Sequence, residues 1–196
     1  MPRPSWLALS GVALLALAAC SDSKSSMTTT APPPSMAQAP PPAAAPPPET
    51  PPQSSDQQFI DQAAAGGMAE VELGRLARQK AAARNVRAFG ARMVADHTKA
   101  NNRLMALAKR ANMTPSPSPD PQQQSMQDQL TSASGADFDK QYIDGQVAMH
   151  QQTIQLFEGE AQSGQDARLR RFAHDTLPTL RAHLRQAEAI SKRLGG

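Results

Sequence analysis

The sequence predicts an all-α protein, an antiparallel four-helix bundle. Across residues 56 to 196, apolar residues recur at alternating steps of three and four, the period of one helix face. Alternating or β-branched runs are missing over the same span, as are hairpin pairs such as Asn-Gly. The span is also long enough, at about 140 residues, to bury one core, and sustained three-and-four spacing in four successive segments is what bundle packing requires.

The chain opens with Arg3, an apolar stretch from Trp6 to Ala19, and the run Leu17, Ala18, Ala19, Cys20. Residues 1–19 read as a signal peptide, because the stretch is too short for a comfortable membrane span. A leucine and two alanines directly before a lone cysteine resemble the lipobox of bacterial lipoproteins. That resemblance implies cleavage before Cys20, acylation of Cys20, and a membrane partner through the lipid. With Ser21 rather than an aspartate next in the chain, it implies an outer-membrane anchor with the domain in the periplasm. Acylation would consume the only thiol, so no internal disulfide, cysteine nucleophile or cysteine metal ligand remains. Residues 21 to 55 hold eleven of the eighteen prolines and only Asp22, Lys24 and Glu49 as charges. Such a composition predicts a disordered tether over 20–55, reaching between about 30 Å as a coil and about 100 Å as polyproline II.

The first predicted helix runs from about Asp56 to Ala82, with the seam Ile60, Ala63, Gly67, Glu70, Gly74, Ala77 and Ala81. Its small residues allow close helix approach. The step of five from Ala81 to Val86 breaks the phase, which places a tight turn at residues 83 to 85 with Asn85 as cap. The second helix carries Val86, Gly90, Met93, His97, Ala100, Leu104, Leu107 and Ala111, and ends before the four prolines of residues 114 to 121. A third, from about Phe138 to Ser163, aligns Ile143, Val147, His150, Ile154, Phe157 and Ala161, with Gly164 as C-cap. The fourth, from about Ala167 to Leu194, aligns Leu169, Ala173, Thr176, Leu180, His183, Ala187, Ile190 and Leu194. About 25 residues join the second helix to the third. Their first ten, held extended by proline, cover roughly 30 Å, so one long crossover can set those two helices parallel, as in ferritin-like bundles.

Charge is unevenly spread. Residues 75 to 110 contain ten Lys or Arg against Asp96 alone, and residues 137 to 166 hold six acids against Lys140. Attraction between neighbouring helix faces explains this, as does docking of the basic first hairpin on anionic lipid or other envelope polymers. Nucleic acid is a poor partner for an exported chain with so few aromatics to stack on bases.

Four ionisable residues interrupt the apolar seams: Glu70, His97, His150 and His183, one per helix and each within about 4 Å of its helix midpoint at 1.5 Å per residue. Buried ionisable groups cost several kcal/mol unless paired, hydrogen-bonded or metal-bound. Three imidazoles and one carboxylate suit a single divalent transition ion such as Fe, Mn, Zn, Ni or Cu, and Met93 and Met149 add thioethers that copper accepts. A Glu and His hydrogen-bond network is the competing reading. His174 falls off its seam and is expected to cap or face solvent. Pro178 is expected to kink the fourth helix just before His183.

Phe59 to Glu70 with Gly66 and Gly67, then Val86, Phe89, Met93, Asp96 and His97, then Phe138, Asp139 and His150, and finally Leu177, Pro178, His183 and Leu184 resemble a family of exported bacterial ferritin-like proteins. It is catalogued as domain of unknown function four-one-four-two. The resemblance spans nearly all of residues 56 to 194 and implies the fold, while the family name leaves activity open. Ferritin-like di-iron enzymes carry Glu-x-x-His on two helices. Here Val94 and Leu180 stand three before His97 and His183, so the pattern departs from a ferroxidase and fits a mononuclear site. The sequence thus frames two functions, a tethered metal-binding module or a structural envelope lipoprotein. An enzymatic role has little support, since no recognisable nucleophile motif is present.

Overall fold

A computed structural model describes residues 54–118 and 120–195. The predicted signal peptide 1–19, Cys20 and nearly all of the tether lie outside the described residues. Five helices follow: α1 (Ser55–Lys80), α2 (Arg84–Arg110), α3 (Pro121–Ser132), α4 (Gly135–Ser163) and α5 (Ala167–Leu194). No strand occurs among the described residues, and none of their helices is long and apolar enough to cross a membrane.

Four of these helices form the bundle, arranged as two antiparallel hairpins, α1 with α2 and α4 with α5. Side-chain anchors between the hairpins set their direction. The turn after α1 meets the N-terminal end of α4, where the Asp139 carboxylate accepts the Ala82 and Ala83 N–H groups at 3.0 and 2.7 Å. The turn after α4 meets the first turn of α1, where Asp56 accepts the Gln165 and Asp166 N–H groups, both at 2.7 Å. Hence α1 and α4 run antiparallel, and α2 runs parallel to α4, as the crossover requires. The long connection between the second and third predicted helices carries the chain back along the bundle.

Part of that connection is helical, which the periodicity did not reveal. Asp120 caps α3 by accepting the Gln122 N–H at 2.7 Å, and Pro121 fills its first position. Only Met126 and Leu130 face inward, too few to register as a seam. Leu130 is buried with Phe138 and Tyr142, and Lys80 donates to the Leu130 carbonyl at 3.0 Å, so α3 straps α1 to α4. One local expectation also changes. Asn85 lies inside α2 rather than capping it, because Asp139 already satisfies the turn's donors. The helix is continuous across Pro178, and nearby Thr176 donates to the Phe172 carbonyl at 2.7 Å.

The hairpins repeat one another at a spacing of 83 residues. Asp56 corresponds to Asp139, and the turn 81–83 to 164–166. Arg87 donates to the Ala81 and Ala82 carbonyls, and Arg170 to those of Gly164 and Gln165, in the same relation. Backbone approach is closest within the first hairpin, where a Cβ added to Gly74 or Gly90 would come within 2.8 Å of the other's carbonyl oxygen. The core divides into two apolar clusters, one around Phe59, Leu104, Phe157 and Phe172, the other around Phe89, Met93, Phe138 and Tyr142. The repeat exchanges them, since Phe59 corresponds to Tyr142.

Candidate metal centre

Glu70, His97, Gln146, His150 and His183 are all buried. α2, α4 and α5 each deliver one histidine, because each places it on the same face as its apolar seam residues. The ring centroids of the three lie 5.4 to 5.7 Å apart. One ring nitrogen from each falls within 4.8 Å of the others. His174, by contrast, is exposed, as its off-seam position predicts.

Acceptors behind the rings fix their tautomers. His183 Nε2 stands 2.7 Å from an Asp96 carboxylate oxygen, and His150 Nδ1 stands 3.0 Å from the Gln146 carbonyl. Both acceptors call for an N–H, so in neutral rings the lone pairs sit on His183 Nδ1 and His150 Nε2. Those two nitrogens face each other at 3.3 Å. His97 Nε2 is buried with no partner among the protein atoms.

Burial keeps the His97 and His183 rings uncharged. Burial pushes the His97 imidazole down to about 4, with His150 and His183 adding to the effect against the opposing pull of Glu70. Burial likewise brings His183 down to about 4, although Asp96 works in the other direction. For Asp96, burial raises the carboxyl, but His183 and then Arg92 outweigh it and hold the group below the usual carboxylate range. The arrangement sets two neutral imidazoles, of His97 and His183, beside an ionised, half-exposed aspartate.

Glu70 reaches the same level but stands behind the triad. Its Oε2 accepts the Gln146 amide at 2.7 Å, and its Oε1, otherwise unpartnered, lies 3.6 Å from His150 Nδ1, on the ring edge away from His183. Met93 and Met149 are buried in the apolar cluster that includes Phe89 and Tyr142. Sequence reasoning did not find Asp96 or Gln146 as site residues. Asp96 sits one position before a seam histidine, on the α2 edge turned toward α5, and its charge looked like part of an ordinary solvated face. Gln146 lies one turn before His150, and that i, i+4 relation was the available signal.

A bundle of this topology, with three buried histidines converging from three helices and the outer nitrogens of two of them tied to a carboxylate and a backbone carbonyl, defines an all-helical bundle protein with a candidate metal centre. The family model described as Domain of unknown function (DUF4142) matches residues 39–190, and the chain belongs to that family. No curated protein matches it. Among solved structures, a DUF305 protein of Streptomyces coelicolor described as secreted is similar at 13% identity and TM-score 0.64, over 73% of this chain and 95% of that one. A DUF305 fragment from Deinococcus radiodurans gives 16% identity and TM-score 0.65, over 75% and 99%. CopM in its Cu(I)-bound form gives 17% identity and TM-score 0.62, over 74% and 100%. At these identities the likeness shows the fold alone.

Proposed function

We propose that this protein is an exported metal-binding module that holds one transition-metal ion between His97, His150 and His183, tethered to the outer membrane through Cys20 with its domain in the periplasm. The observation that carries this reading is the pair of imidazole lone pairs facing each other at 3.3 Å. Two nitrogens on one tetrahedral ion, each about 2.0 to 2.1 Å from it, stand about 3.3 to 3.4 Å apart. His183 backed by Asp96 and His150 backed by a backbone carbonyl match the usual outer support of metal-bound imidazole, which fixes the ring and raises its basicity. Imidazole ligands suit copper, zinc, iron and nickel, and similarity of fold to CopM, solved in copper- and silver-bound forms, favours copper. Glu70 serves as an outer partner of His150 or, by rotating, as a fourth ligand. Storage or buffering of the ion fits better than catalysis, since no nucleophile stands beside the triad.

Elemental analysis tests this on full-length chain prepared without a histidine tag and exposed to Fe, Mn, Zn and Cu together. About one ion per chain is expected, and less than about 0.1 would sink the proposal.

A further inference from the structure

Applied to the histidine level, the repeat of 83 residues pairs His150 with Gly67, His183 with Ala100, His97 with Leu180 and Glu70 with Thr153. The repeat-related copy of the site therefore carries small or apolar residues where the first carries candidate ligands. These four residues stand around one space, although Asn101 Oδ1 takes the place that a Cβ at Gly67 would occupy. Gly67, Ala100, Thr153 and Leu180 all line one cavity of about 50 Å³, and Glu70, His97 and His183 close its other side. Glu70 and His97, each with a buried polar atom that has no hydrogen-bond partner, both belong to that wall.

We infer that this cavity is the exogenous-ligand chamber of the metal centre and that it takes one uncharged molecule of two or three heavy atoms, of the dioxygen class. The inference rests on the triad holding a metal. A chamber of this size accommodates about three or four waters or one such molecule. Most of its exposed lining surface is apolar, with Leu104, Leu156, Phe157 and Phe172 beside Gln62, Asn101, Thr176 and Thr179, which disfavours strongly hydrated ligands. The ionised Asp96 carboxylate borders it and repels anions. Access runs between α2 and α5. Asp96, Ala100, Phe172, Thr176 and Thr179 line both this chamber and an outer surface pocket, so they form the wall between the triad and solvent.

Two probes test the chamber on the full chain. The first is xenon, applied to metal-free protein and followed by methyl resonances of Ala100 and Leu180. Saturable shifts are expected in the wild type and should disappear in Ala100→Leu, which fills the space, and in Thr153→Leu, which fills it from α4 and serves if the first variant does not fold. The second is carbon monoxide, added to protein loaded with Cu(I) and read by its C–O stretch. In either variant its affinity should fall at least tenfold more than the affinity for Cu(I). No xenon response in the wild type overturns the chamber whatever the metal result. Equal carbon monoxide binding by wild type and variants overturns its role as the route to the ion. Xenon binding in a chain that takes up no metal overturns the metal reading, and with it the chamber's assignment to that centre.

Discussion

The two helical hairpins are alike at their ends and unlike at their centres. At the ends, each has a buried aspartate near its start that grips the other hairpin's turn, and an arginine that grips its own. At the centre, the level that supplies His150 and His183 from α4 and α5 corresponds to Gly67 and Ala100 in α1 and α2. Folding therefore uses the parts the hairpins share, and the candidate chemistry uses the parts in which they differ. An ionisable group in a core is costly, so it persists in one copy only where something compensates it. In the other copy the corresponding residues border a cavity of about 50 Å³.

Removing the triad should have the largest effect. His97→Ala, His150→Ala and His183→Ala are each expected to weaken metal binding at least about a hundredfold by calorimetric titration, and to remove the rise in melting temperature that metal produces. His174→Ala, at an exposed position of the same helix as His183, should leave both unchanged. Equal losses in all four would mean that the centres of the hairpins are not specialised. Asp96→Asn keeps an acceptor but removes the charge behind His183, and its expected loss is smaller, about tenfold.

The shared ends are tested by stability. Asp56→Ala and Asp139→Ala each strip two backbone N–H groups of their acceptor, a cost of about 1 to 3 kcal/mol, and urea melts should show the two losses equal to within about 0.5 kcal/mol. If only one variant is destabilised, the ends are not equivalent and the structural repeat is superficial.

Much of this was legible in the sequence, and what was missed has identifiable causes. Periodicity located the four bundle helices because each buries a continuous apolar stripe, and it located the three histidines because they interrupt such stripes. It missed α3, whose inward side is little more than Leu130 and Met126. It put Glu70 at the level of the histidines without showing that it stands behind His150, since a seam position fixes which face a side chain leaves from but not which edge of a neighbouring ring it reaches. The repeat was visible as Asp56, Gln58, Phe59, Ile60, Asp61 against Asp139, Gln141, Tyr142, Ile143, Asp144. Read as seams alone, those residues gave only apolarity. Asp56 and Asp139, which lie off the seams, determine how the hairpins join.

The smallest effect separates the hairpins at one end. Glu160 stands where the first hairpin has Ala77, and it is buried with one oxygen unpartnered. Burial, then the nearby Asp56 carboxylate, raises it to about 7. In the metal-free protein three groups then shape stability between about pH 4.5 and 6.5. His97 and His183, held near 4 in the fold, bind protons mainly in the unfolded chain, so each makes stability rise with pH through this window. Glu160 is protonated in the fold and ionised in the unfolded chain, so its contribution is full below about 4.5 and is lost as pH rises toward 7. One of the three slopes cancels another. The remainder is a rise of about 1.4 kcal/mol per pH unit, the slope of a single proton. Glu160→Gln removes the opposing group and should roughly double that slope in urea melts across the window. An unchanged slope would mean that Glu160 is ionised in the fold, and that this position does not distinguish the two hairpins electrostatically.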